Sequence, residues 1–71
     1  MAKLTTITRV IYREAIDVQV GDVVHDSPVD ARKVYRKRAE TFRRVRLTYR
    51  DGTVREFRER FRVPVTVTVK A

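Results

Sequence analysis

Two groups of side chains in this sequence invite a chemical reading. His25, Asp26 and Ser27 stand side by side and carry the residue types of a hydrolytic triad. Adjacent positions cannot line up nucleophile, base and orienting carboxylate in a row, and Ser27 ahead of Pro28 reads as a turn residue. Asp17, Asp22, Asp26 and Asp30 are scattered over turn signals without the spacing or the glycine of a calcium loop. His25 has neither a second histidine nor a cysteine with which to share a metal. No glycine run is present to cradle a phosphate. No catalytic residue, metal or cofactor is therefore expected, and the chain does not read as an enzyme.

The second group is basic. Arg44, Arg46 and Arg50 alternate with Val45, Leu47 and Tyr49. On a strand they would project from one face at intervals of roughly 7 Å, opposite an apolar face. Arg32, Lys33, Arg36, Lys37 and Arg38 precede them, and Arg55, Arg58, Arg60 and Arg62 follow. Residues 32–62 hold 13 basic and 4 acidic side chains, a net of +9. Residues 1–31 hold 3 and 5, a net of −2, and Lys70 closes the total at +8. Like charges this dense cost stability unless something relieves them, which points to a polyanion. The candidate nucleic-acid-binding residues are Arg36, Arg38, Arg44, Arg46, Arg50 and Arg55, with Tyr12, Tyr35 and Phe42 as candidates for base stacking. The competing interpretation is a solvated sheet face with cross-strand partners in Glu56 and Glu59. Arg outnumbers Lys 13 to 4. That ratio suits bidentate phosphate contacts, and it also follows from a GC-rich genome with no functional meaning.

Strands must position these groups. Val occurs 13 times and Thr 8 times against two Leu, a composition suited to a pleated surface. The strongest local signal is Asp51-Gly52 between alternating apolar residues, a hairpin turn. Three registers compete after it. A tight turn sends Phe57 outward, and a three-residue loop with a glycine bulge sends Val54 outward. A tight turn with a bulge near Arg55-Glu56 brings both inward, and this third register is the expectation. Residues 4–13 read as an N-terminal strand, Val23 and Val24 start a short one, and Asp26-Ser27-Pro28 is a loop. Residues 31–38 form a third strand. Residues 59–62 read as one tight turn, of 3₁₀ type, that lets Phe61 plug a barrel end. Val63, Val65, Val67 and Val69 mark the last strand, with Pro64 near its start. The expected core is Val23, Val34, Val45, Leu47, Tyr49, Phe57, Val65 and Val67.

This layout resembles a Src-homology-3-like (SH3-like) small β-barrel of the KOW or Tudor type. The stretches that carry the resemblance are VQVGDVV, residues 18–24, and LTYRDGTVREF, residues 47–57. It implies an all-β fold of five to six antiparallel strands. Residues 1–71 would then form one domain, with 1–19 as N-terminal strand and lead-in and 20–70 as the barrel. The Arg-rich composition also resembles short uncharacterised proteins of actinobacteria and their phages. The chain has no cysteine, and it shows neither an apolar run of membrane-spanning length nor a signal-peptide core. The cytoplasm of a bacterial or host cell is the expected location, with no membrane partner. Two function classes follow. One is a basic module that binds DNA or RNA through the phosphate backbone. The other is a protein-interaction module, which binds an acidic protein surface or self-associates as a homodimer by β-augmentation through residues 4–13 or 63–70.

Overall fold

The abundance of β-branched residues decides the architecture. A computed structural model, which describes residues 5–70, is all-β with six strands. They are β1 (Thr6–Glu14), β2 (Val23–Val24), β3 (Ser27–Tyr35), β4 (Arg44–Tyr49), β5 (Val54–Arg58) and β6 (Arg62–Lys70). A single 3₁₀ turn, Ala15–Asp17, follows β1. All strand pairs are antiparallel, and one sheet runs in the order β1-β6-β2-β3-β4-β5. The sheet is not closed into a barrel: β1 lies at one edge and β5 at the other. The closure expected from the sequence is thus corrected. β1 takes the edge of β6 that would otherwise be free, and Leu4 lies outside the described residues.

The core is a small cluster of Ala15, Val18, Val24, Val29, Val45, Leu47, Tyr49, Val63 and Val65, with Ile11, Ile16, Val34, Phe57 and Val67 packed against it. Val23 does not belong to it. Val24 pairs with the buried Val65 and faces inward, so its neighbour Val23 must face the other way.

Four local expectations are also corrected. His25 and Asp26, with φ of 49° and 61°, form the two-residue link between Val24 and Ser27. Positive φ at both positions is what a type I′ hairpin turn requires. This turn needs no glycine, and it places Ser27 and Pro28 inside β3. The strand therefore runs Ser27–Tyr35, and Arg36, Lys37 and Arg38 fall in the following loop. At the central hairpin, Thr48 pairs with Val54 and Val45 with Phe57. Gly52 N–H donates to the Tyr49 carbonyl at 2.9 Å and Tyr49 N–H to that of Thr53 at 2.8 Å. That is the three-residue loop with a glycine bulge, Gly52 having φ of 89°, and it leaves Val54 facing out. Finally, Phe61 plugs nothing. It is 56% exposed and stacks on Phe57 with ring centroids 5.6 Å apart.

A corner at the far end of β1 ties the loops together. Ala15 N–H donates to the Phe61 carbonyl at 2.8 Å and Ile16 N–H to that of Glu59 at 3.0 Å. Glu59 N–H in turn donates to the Arg43 carbonyl at 2.9 Å. At the opposite end, residues 6–9 and 67–70 pair with each other beyond the reach of β2 and are largely exposed. This two-stranded arm makes the molecule long, 59 × 23 × 14 Å with a radius of gyration of 14.5 Å. A compact chain of this length would have a radius of about 11 Å.

Candidate nucleic-acid interface

The outer face of the β3-β4-β5 sheet carries Arg44 and Arg46, because Val45, Leu47 and Tyr49 between them are buried. Strand pairing sets Arg44 between Tyr35 and Arg58, and Arg46 between Lys33 and Glu56. Neither arginine is idle. Arg44 Nε donates to both oxygens of Glu40, at 3.1 and 3.0 Å, and its Nη2 donates at 2.9 Å. Arg46 donates to Glu56 Oε1 from Nε at 3.1 Å and from Nη2 at 2.8 Å. The Tyr35 hydroxyl donates to the same Glu56 oxygen. The neighbouring Arg43 engages Glu59 through its backbone N–H and its guanidinium, both at 3.1 Å.

These contacts shift the carboxyls in one direction. Glu40 is held below the usual carboxylate range, chiefly by the Arg44 hydrogen bonds. Glu56 is lowered first by the Tyr35 hydroxyl and then by Arg46. The Arg43 backbone N–H does the same for Glu59. The Tyr35 phenol is raised, because its proton is held by Glu56.

The aromatic rings are engaged as well. The Arg44 and Arg58 guanidinium carbons lie 5.4 and 4.5 Å from the centre of the Phe42 ring, and that of Arg46 lies 5.2 Å from the Tyr35 ring. Two of the three expected stacking rings are thus covered by the protein's own cations. Tyr12 differs, being 61% exposed on β1. It lines a shallow open cleft of about 420 Å³ with Arg13, Arg60, Arg62, Glu14 and Asp17.

The six expected binding residues do not share one surface. Arg44 and Arg46 do. Arg50 is not the third member of their row, because it belongs to the hairpin loop. There its N–H donates to the Pro28 carbonyl at 2.9 Å, and its Nε lies 3.8 Å from Asp30. Arg55 pairs with the buried Leu47, so it stands on the opposite, inner side of the sheet while remaining exposed. Arg36 and Arg38 are exposed in the β3–β4 loop. Arg32, also opposite Leu47, turns inward and donates to the Ile16 carbonyl at 2.8 Å.

Sequence reasoning missed the roles of Glu40 and Phe42. The spacing of Glu40 four residues before Arg44 was the available signal for the first. Compared with protein-family models, curated proteins and solved structures, the chain finds no match. Among the described residues no helix is long and apolar enough to cross a membrane.

Proposed function

We propose that the protein binds nucleic acid, DNA or RNA, through the phosphate backbone, by its unpaired basic rim rather than by the Arg44–Arg46 row. One observation carries this reading. Within residues 32–62, Glu40, Glu56 and Glu59 are committed to arginines, and Asp51 accepts hydrogen bonds from Thr53. Exposed Lys33, Arg36, Lys37, Arg38, Arg55, Arg58, Arg60 and Arg62 have no ion pair among the described residues. This surplus of base favours a polyanion, whose phosphates release their condensed counterions on contact with such groups. The densest part along the chain is the exposed loop triplet Arg36-Lys37-Arg38. Among the described residues no α-helix is available to enter a groove, so recognition follows charge and shape rather than base sequence.

The likeness to a Src-homology-3-like barrel belongs to this proposal too. Strands β2 to β6, with the long central hairpin and the turn ahead of β6, would be an opened version of it with β1 added.

The test is charge inversion at side chains that form no ion pair among the described residues. Changing Arg36, Lys37 and Arg38 together to Glu should abolish binding to duplex and single-stranded oligonucleotides and leave the melting temperature nearly unchanged, since these side chains are exposed. Arg36→Lys with Arg38→Lys should keep most of the affinity, because backbone contacts need charge more than fork geometry. An inverted triplet that binds as tightly as the parent would reject the proposal.

A further inference from the structure

The two edges of the sheet are unequal. β5 is five residues long and carries Arg55, Glu56 and Arg58, the kind of short, charged edge that resists pairing. β1 is nine residues long, without proline and without a bulge in its register against β6. Its backbone polarity can be read from the ladder. Ala15 donates to Phe61, and the antiparallel alternation then directs the odd-numbered residues of β1 towards β6. On the far side of β6, His25 N–H donates to the Pro64 carbonyl at 3.3 Å, which fits the same alternation. Thr6, Thr8, Val10, Tyr12 and Glu14 therefore direct their N–H and C=O groups away from the molecule. Their side chains share one face, where Val10 and Tyr12 are 60% and 61% exposed.

We propose that this edge pairs with β1 of a second copy, antiparallel about a twofold axis through Val10, to join two sheets into one. Two independent features select that register. Val10 is the midpoint of Thr6–Glu14, so pairing about it uses the whole strand. Val10 meets Val10, Thr8 meets Tyr12, and Thr6 meets Glu14, each as a pair that exchanges both backbone hydrogen bonds. The second feature is charge. About Val10, Arg9 stands opposite Ile11 and Arg13 opposite Ile7. Sliding by one pairing step either way sets Arg9 directly against Arg9 or against Arg13, which is unfavourable. The partner chemistry is thus a copy of this same strand. The arm gains most, because a two-stranded ribbon is marginal alone and becomes one half of a four-stranded sheet.

The net charge of +8 on each chain opposes association, so added salt should strengthen the dimer. Binding to nucleic acid should weaken under the same change, which keeps the two proposals separable. Sedimentation equilibrium over micromolar to near-millimolar protein should show a species of twice the 8.4 kDa chain. Val10→Lys, which sets two ammonium groups across the axis, should return it to the monomer. So should Val10→Pro, which removes an N–H that points away from β6. Because the chain has no cysteine, Val10→Cys should oxidise to a covalent dimer far faster than Val54→Cys, a similarly exposed control on the other edge. A monomer throughout that range, or equal cross-linking at the two positions, would overturn the proposal. A dimer unaffected by Val10→Lys would overturn it too.

Discussion

Ala39 sits in the β3–β4 loop with φ of 68°, a left-handed conformation that costs a non-glycine residue about 1–2 kcal/mol. Glycine there would relieve the strain and lose about 0.4–1 kcal/mol through the freer unfolded chain. Ala39→Gly should therefore leave stability unchanged or raise it by up to about 1.6 kcal/mol, each kcal/mol being worth roughly 4–8 °C in Tm for a domain of this size. Gly52 is the converse. Its φ is 89° and no atom lies within 4 Å of where a Cβ would stand, so the cost of substitution is conformational, not steric crowding. Gly52→Val should lower stability by more than about 1–2 kcal/mol, and Gly52→Asn by less. Equal melting curves for the parent and Gly52→Val would contradict the bulged loop.

The element on which the fold depends most is β4, the neighbour of both β3 and β5 and the source of Val45, Leu47 and Tyr49. Leu47 is fully buried, and Leu47→Ala should cost about 2–5 kcal/mol. A domain of this length has roughly 4–10 kcal/mol in total, so denaturant titration should show a large loss or outright unfolding. This part of the fold was legible in the sequence, because strict alternation in β4 and β6 separates the two faces without help from context. Elsewhere the local pattern was ambiguous. Val23 and Val24 are identical in type, and only the partner strand decides which one faces in. The β3 boundary depended on a type I′ turn made by His25 and Asp26, which carry no glycine signal. Val54 and Phe57 could not both face inward without a bulge in β5, and the chain placed the extra residue in the loop instead. Arg50 left the arginine row for the same reason. Of the candidate site, the excess of base was plain from composition. Its division into paired and unpaired groups was not, because that depends on where Glu40, Glu56 and Glu59 fold back.

Across the whole molecule, pH and salt are the variables that separate internal from external electrostatics. The lowered carboxyls of Glu40, Glu56 and Glu59 favour the folded state when ionised. Their contribution is present above the ordinary glutamate value of about 4.3 and is lost as pH falls through the lower folded values. The raised Tyr35 phenol has the opposite sign. Its contribution is present below the ordinary tyrosine value of about 10 and is lost as pH rises through the folded value. Tm at low ionic strength should therefore hold a plateau between these limits and decline at both ends. Glu56→Gln should flatten the alkaline decline, since Tyr35 would then ionise beside a neutral amide. The exposed bases that form no ion pair among the described residues are the ones for which nucleic acid is proposed as the partner. The most direct measurement is the affinity for a duplex and for a single-stranded oligonucleotide as salt is raised from about 50 to 200 mM. With six or more phosphate contacts, affinity should fall by about 10³-fold or more over that range for both, with little dependence on base sequence. A protein that leaves both oligonucleotides unbound at about 50 mM salt, where such contacts are strongest, would contradict the account.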